Sequence, residues 1–314
     1  MNPVVTLTLN PAIDLTVTLD RLEPGRVHRA QGARTDAGGK GLNVARCLAD
    51  WGVPVVACGL LGRDNAGPFE AVLAQKGIAD RLIRVPGETR TNLKLLDRAS
   101  GDTTDVNLPG LAAGPGDLAV VAATLAELAA PGSLVVLAGS LPAGLAPDTY
   151  AELTATLKPR GARVVLDASG PALAAALAAA VLPDLVKPNR HELEEWAGAP
   201  LASLAAVAAA AHGLHRRGIP LVVISLGAEG ALVVAEGEAW HAHPPAIPVA
   251  STVGAGDALV AGLVAGLHAG LPLSDTARLA LAFAAGKLTR PGANLPDRAT
   301  VEALAASIRI DPVA

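Results

Sequence analysis

Ser251-Thr252-Val253-Gly254-Ala255-Gly256-Asp257 is the stretch on which the reading of this chain turns. A proline-rich segment, His243-Pro-Pro-Ala-Ile-Pro-Val-Ala, leads into it, and a long apolar run over residues 258–271 follows. Gly254, Ala255 and Gly256 are small enough for their backbone N–H groups to crowd together at the start of a helix. Those N–H groups have no intrahelical partner and carry partial positive charge. Asp257 places a carboxylate at the same helix start. Donors that hold an anion beside a proton acceptor make a phosphoryl-transfer centre. A tight glycine turn with an aspartate cap is the plainer reading of the same residues. The rest of the chain decides between the two.

Working outward, strands alternate with helices. Residues 4–9 read as a buried strand that ends at Asn10-Pro11-Ala12-Ile13-Asp14. Further strands are expected over 53–60, 134–138, 163–166, 184–186, 221–226 and 231–235. Helices are expected over 66–77, 117–130, 147–157, 171–180, 190–196, 203–217, 275–288 and 298–308. This alternation argues for a mostly parallel sheet with helices on both faces. Residues 15–19, 27–33, 90–96 and 103–108 instead alternate polar and apolar, as half-exposed strands do. They suggest a small antiparallel sheet built from two insertions, a natural lid over the main sheet. Arg90, Asn92 and Lys94 share one face of it, because strand side chains repeat every two residues.

The chain has 314 residues, enough for one large α/β domain, and hydrophobic residues make up 51% of it. Aromatics are only 2%, so the core must be built from Ala, Leu and Val. The net charge of −4 carries no basic block, which gives no support for a nucleic-acid or membrane-surface partner. Apolar runs are interrupted by Glu127, Pro131, Pro183, Asp184, His212 or His268, so none reads as a membrane span. Cys47 and Cys58 form no Cys-x-x-Cys pair, and a buried, reduced role in a cytoplasmic protein is expected of both. The N-terminus reads as a first strand rather than a signal peptide.

Polar and Gly-rich segments gather at the expected strand ends: Asp14, Ser140, Asp167, Lys187-Pro188-Asn189 and Gly227. In open α/β sheets, ligands bind beyond the carboxyl ends of the strands. The chain has only six lysines, and Lys40, Lys94 and Lys187 fall in these Gly- and Pro-framed or lid segments. A retained lysine supplies a compact point charge. Asp36-Ala-Gly-Gly-Lys-Gly-Leu-Asn-Val-Ala-Arg46 is a glycine turn entering a helix, but no Ser or Thr follows Lys40 where a Walker A loop needs one. Asn189 and Glu192 stand three apart at a helix start. That spacing suits Mg²⁺, usually through waters, and equally suits a carboxylate favoured by the helix dipole. The seven histidines show no zinc spacing, and no Gly-x-Ser-x-Gly elbow is present.

The segments at 36–46 and 251–257 resemble the two signatures of the ribokinase-like, phosphofructokinase-B sugar kinases. Asn10-Pro-Ala-Ile-Asp14, Thr89-Arg-Thr-Asn92, Gly139-Ser-Leu-Pro142, Lys187-Pro-Asn-Arg-His-Glu192 and Ser225-Leu-Gly-Ala-Glu-Gly230 match in order between them. The resemblance implies a three-layer α/β/α sandwich, a single ribokinase-like domain over 1–314, with a β-sheet lid from insertions 12–33 and 89–108. It implies ATP and Mg²⁺, and a homodimer formed through the lid. Asp257 would be the base, and Gly254, Ala255 and Gly256 the anion hole. Asn189 and Glu192 would organise Mg²⁺ and the ATP phosphates, with Lys187 nearby. Ser225, Gly227, Gly230 and Thr252 would line the nucleotide site. Asp14, Gly39 and Asn43 would hold sugar hydroxyls, with Gly38, Asn107 and Ser140 on the same side. Arg90, with Lys40 and Lys94, would hold the sugar phosphate.

Within the family the chain is similar to the branch that phosphorylates hexose phosphates. Lys40, and Asn92-Leu-Lys94 followed by Asp105-Val-Asn107, look more like the kinases of fructose 1-phosphate and tagatose 6-phosphate than those of fructose 6-phosphate. Fructose 1-phosphate, the more widespread substrate, is the expectation. Tagatose 6-phosphate and fructose 6-phosphate are the alternatives, and a catalytically silent sugar-phosphate sensor is the alternative of another class. One segment departs from the family pattern: after Ala284-Ala285-Gly286, where small residues are usual, this chain has Lys287-Leu-Thr-Arg-Pro-Gly292.

Overall fold

The computed structural model describes residues 2–236, 238–249, 254–290 and 294–313. The chain begins β1 (Val4–Thr8), β2 (Ala12–Leu19), β3 (Gly32–Gly38), α1 (Lys40–Asp50), β4 (Val55–Gly62), α2 (Gly67–Lys76), β5 (Ala79–Val85), β6 (Thr91–Asp97) and β7 (Thr103–Val106). It continues α3 (Pro115–Leu128), β8 (Leu134–Ala138), α4 (Thr149–Leu157), β9 (Arg163–Asp167), α5 (Gly170–Ala178), β10 (Leu185–Val186), α6 (Arg190–Ala197), α7 (Leu204–Arg216) and β11 (Leu221–Ser225). It ends β12 (Ala231–Ala235), β13 (Glu238–Ala242), α8 (Ala255–Ala269), α9 (Leu273–Leu288), α10 (Arg298–Ser307) and β14 (Ile310–Pro312).

Ten strands form one sheet in the order β14-β13-β12-β11-β10-β9-β8-β1-β4-β5. From β5 across to β11 every pairing is parallel, and β12, β13 and β14 add antiparallel pairs. The interior strands are mostly apolar because both of their faces are covered. In β8, Leu134, Val136 and Ala138 pack into one core and Val135 and Leu137 into the other. Helices α1, α2, α8, α9 and α10 cover the first face and α3–α7 the second, giving three layers. Small residues replace the missing aromatics: a Cβ on Gly262 of α8 would stand 2.5 Å from Ala280 Cα of α9, so the two helices pack backbone to backbone.

The strand order reverses beside β1, since the next strand of the main sheet, β4, lies on one side and β8 on the other. Ligands of open α/β sheets bind at such a switch point, outside the carboxyl ends. Asn10, Ser140, Asp167, Lys187 and Ser225 all end or follow parallel strands on that rim.

The second sheet has four strands in the order β3-β2-β6-β7. It is not purely antiparallel as expected. β2 pairs β3, and β6 pairs β7, antiparallel, but β2 and β6 run parallel with Asp14 opposite Asn92. Each hairpin leaves the same rim of the main sheet, so the two outgoing strands run in one direction. The strand expected over 27–33 lies instead at Gly32–Gly38, where it delivers the chain through Gly38 and Gly39 straight into α1. The edge strands β5 and β14, and β13 beside β14, are additions to the sequence reading. β5 carries Asp80, Arg81 and Arg84, and such charge obscures an apolar pattern. No helix among the described residues is long and apolar enough to cross a membrane.

Candidate active site

Two helix starts meet over the rim. α1 begins at Lys40, after Gly39 in a positive-φ conformation. A Cβ on Gly39 would come within 2.7 Å of Thr8 Cγ2, so only glycine brings the helix this close to the end of β1. α8 begins after Gly254, which is left-handed at φ 80°. Asn43 of α1 donates from Nδ2 to Asp257 Oδ2 of α8 at 2.8 Å.

Asp257 is buried, 7% exposed. Its pKa is pushed up to about 6, first by burial and then by the charge of Asp167, against the Asn43 hydrogen bond and the ammonium groups of Lys40 and Lys187. The sequence reading has the helix terminus holding Asp257 as a weak base, but burial outweighs that field. The carboxylate is still mostly ionised at neutral pH, and it is a better base than an exposed aspartate. A Cβ on Gly256 would be 3.8 Å from Lys187 Nζ, so an ammonium stands beside the turn whose first N–H groups are free of the helix.

Asp167 is the residue whose role the sequence leaves unread. It ends β9 and is 1% exposed. Its Oδ1 lies 3.3 Å from Lys40 Nζ and 3.4 Å from Lys187 Nζ, joining the two lysines. Its Oδ2 is buried with no hydrogen-bond partner among the described residues. Burial works against the charge of Lys40, but Asp167, Asp257 and Glu192 outweigh it and hold this lysine above its ordinary range. A polar residue that closes β9 directly after the buried Val164, Val165 and Leu166 is the signal that marks Asp167.

Asn189 and Glu192 form a reciprocal cap at the start of α6. Asn189 Oδ1 accepts from the Glu192 N–H at 2.8 Å, and Glu192 Oε2 accepts from the Asn189 N–H at 2.8 Å. The capping use of this spacing is therefore the one the structure displays. Among the described residues no group of three or more His, Cys, Asp or Glu is arranged to hold a metal.

In the small sheet, Asp14 Oδ1 accepts from Asn92 Nδ2 at 3.4 Å. Burial raises the Asp14 pKa against Lys94 and Asn92. Gly38 leaves room for this carboxylate, since a Cβ there would meet Asp14 Oδ2 at 3.1 Å. Arg90 reaches the Asn10 carbonyl at 3.5 Å, and its buried Nε has no partner among the described residues. Burial lowers the Arg90 pKa and Asp14 opposes it. Asn10, given no role from sequence, donates to Ser140 Oγ at 3.1 Å and so ties the ends of β1 and β8 beside Arg90. Lys94 pairs with Asp105 at 3.0 Å across β6 and β7. Asn107 lies exposed just past β7.

Ser225 donates its N–H to the Pro188 carbonyl at 3.1 Å, holding the ends of β10 and β11 together. Gly227 has positive φ and open space where a side chain would go. Gly230 answers to packing instead, for a Cβ there would meet the Ala242 carbonyl at 2.1 Å. Thr252 lies outside the described residues.

Residues 1–300 match the pfkB family of carbohydrate kinases. A 1-phosphofructokinase of Xanthomonas campestris pv. campestris is 54% identical over 287 residues, 90% of each chain. A 1-phosphofructokinase of Rhodobacter capsulatus is 50% identical over 308 residues, 98% of this chain and 97% of that one. Among solved structures, phosphofructokinase-2 from Escherichia coli in complex with potassium superimposes with a TM-score of 0.92 at 29% identity, over 98% of this chain and 99% of that one.

Proposed function

This chain belongs to the pfkB family of carbohydrate kinases, and on that footing we propose that it transfers the γ-phosphoryl group of ATP to the C6 hydroxyl of fructose 1-phosphate. The observation that carries the chemistry is Asp257, buried at the start of α8 with its pKa raised to about 6 and an ammonium beside its turn. The two relatives named 1-phosphofructokinase, each at least half identical over nine-tenths of the chain, support the choice of sugar.

In this reading Asp257 accepts the proton of the C6 hydroxyl as O6 bonds to the γ-phosphorus and the bond to the β,γ-bridging oxygen breaks. ADP leaves with that bond's electron pair. The transition state is loose, so the proton leaves late and a carboxylate base suffices. The N–H groups of the Gly254–Gly256 turn, with Lys187 beside them, stabilise charge on the moving phosphoryl. Arg90 with Lys40 and Lys94 holds the 1-phosphate. Asp14, Gly39 and Asn43 hold ring hydroxyls, with Gly38, Ser140 and Asn107 on the same side. Binding the non-reacting phosphate positions the acceptor hydroxyl and selects against sugars that lack it. Ser225, Gly227, Gly230 and Thr252 line the nucleotide side, and Asn189 begins it.

Mg²⁺ fits the donor set, with Asn189 and Glu192 at the start of α6 to organise it: Asp167 Oδ2 is a buried carboxylate oxygen without a partner among the described residues, and Glu192 is near enough for its charge to act on Lys40. When bound there, Mg²⁺ would offset phosphate charge. The small sheet serves as a lid and as the contact with a second copy. Its edge strand β7 is exposed at each residue, and Val106 in it and Leu108 just past it are each 41% exposed. An open edge of this kind favours pairing.

Initial rates on fructose 1-phosphate, tagatose 6-phosphate and fructose 6-phosphate test the sugar. A strong preference for either 6-phosphate overturns the choice, and no ADP release with any of them leaves a sensor. A solution mass tests the dimer, and a clean monomer contradicts that use of the lid.

A further inference from the structure

Lys287, in the last turn of α9, is one of the largest fully buried side chains at 1% exposure. Among the described residues its ammonium has one hydrogen-bond acceptor, the Arg290 carbonyl at 3.3 Å. Its Cε passes 3.4 Å from where a Cβ on Gly254 would stand, so the side chain runs directly beneath the turn that opens α8. Arg46 is a second buried cation nearby, donating to the Ala37 carbonyl at 3.0 Å and to Asn294 Oδ1 at 3.3 Å. Burial lowers the Lys287 pKa most. Arg34 and Arg46 add to this, while Cys47 and Asp257 oppose it.

A buried ammonium beside another cation, with a neutral carbonyl as partner, is unfavourable for stability. Methionine would fill the same volume without a charge to desolvate. Lysine is used only six times in the chain, and this one stands under the phosphoryl-transfer turn. We propose that Lys287 is a positioning residue: an internal cation that holds the Gly254 turn in its donor-presenting form and supports negative charge on Asp257 and on the moving phosphoryl. It touches no substrate. It acts through the turn, where low dielectric makes a fixed charge effective. This rests on the reading of Gly254–Gly256 as the anion hole and Asp257 as the base.

The test compares Lys287→Met, which removes the charge, with Lys287→Gln, which keeps a donor for Arg290 without the charge. In both, kcat falls about 10- to 100-fold while KM for fructose 1-phosphate stays within about twofold. The melting midpoint stays level or rises. The groups acting on Asp257 are Asp167, which raises its pKa, and Asn43, Lys40 and Lys187, which lower it. Asp257 also acts on Lys287, so losing this lysine removes a further cation and moves the acid limb of kcat to higher pH. Wild-type turnover by Lys287→Gln overturns the proposal, because the hydrogen bond alone would then suffice. Wild-type kcat with an unmoved acid limb in Lys287→Met overturns it too, as does a kcat loss matched by a falling midpoint. Asp257→Asn run alongside separates the two readings. If it stays active, the site reading itself fails. If it is dead while both Lys287 variants are active, only this proposal fails.

Discussion

Asn43 and Asp257 stand 214 positions apart in sequence, and a 2.8 Å hydrogen bond joins their side chains across the two helix starts that face the ligand rim. The bond favours the ionised form of Asp257 and offsets part of the effect of burial. Replacing Asn43 with Leu removes it. The Asp257 pKa then rises by roughly one unit, the shift equivalent to about 1.4 kcal/mol for one hydrogen bond to a charged group. The acid limb of the kcat–pH profile should move upward accordingly. A profile that keeps its limb would separate this bond from the chemistry.

Asp167→Asn should move the same limb the other way. Asp167's charge raises the Asp257 pKa, so its loss lowers it. The variant also takes the shared counter-charge from Lys40 and Lys187, which lie 3.3 and 3.4 Å from Asp167 Oδ1. Turnover therefore falls although the base is ionised over a wider range. Opposite limb shifts in Asn43→Leu and Asp167→Asn would be hard to explain if Asp257 were a bystander.

Asp257→Asn tests base and fold together. Turnover should drop by roughly 10²–10⁴, the range for a general base. Stability should move oppositely. The folded pKa of about 6 lies above the ordinary 3.8, so the native state binds this proton more tightly than the unfolded chain does. Relative to the protonated state that prevails below about pH 4, stability falls as pH rises through 6, and at neutral pH it is lower by about 3 kcal/mol. The neutral amide relieves much of that penalty. A melting midpoint level with or above wild type at pH 7.5, converging toward acid pH, is the expected result. A lower midpoint at neutral pH would contradict the assigned burial effect.

These effects show where sequence reasoning reaches and where it stops. The parallel sheet was legible because strands such as β8 are apolar on both faces, and the polar rim because Ser140, Asp167, Lys187 and Gly227 stand where such runs end. The parallel pairing of β2 with β6 was not legible, because alternation within a strand does not specify its partner's direction. The raised pKa of Asp257 was missed for a related reason. The helix field is local and visible in the motif, whereas burial and the charge of Asp167 arise from residues far away in sequence. Asn189 and Glu192 satisfy both a cap and a ligand pattern by spacing, and only their hydrogen bonds to each other's N–H groups identify the cap.

Arg90 is the residue proposed to hold the sugar phosphate. Among the described residues its buried Nε has no partner, and its guanidinium reaches a carbonyl only at 3.5 Å. Arg90→Ala should raise KM for fructose 1-phosphate roughly tenfold to a hundredfold, the worth of one or two charge-assisted hydrogen bonds, with a smaller change in kcat. Arg90→Lys should recover part of the loss, because it restores charge without the planar fork. An unchanged KM in the alanine variant would place the sugar phosphate elsewhere.

Gly41 is a conformational rather than a chemical requirement. A Cβ there would stand 2.2 Å from the Leu7 carbonyl oxygen and 2.5 Å from Thr8 Oγ1, so α1 rests directly on the end of β1. Both obstacles belong to β1, an interior strand of the parallel sheet, and the backbone carbonyl has no rotamer through which to yield. In Gly41→Ala the helix must lift, costing about 1–3 kcal/mol as overpacking does. The same displacement carries Lys40 from Asp167 and Asn43 from Asp257, since both side chains project from this first turn. Activity should therefore fall further than the loss of folded protein explains, and thermal melting read beside kcat would show it. Full turnover per folded molecule would mean that the helix start tolerates displacement, and that the 2.8 Å contact between Asn43 and Asp257 is not held to its geometry by the strand beneath.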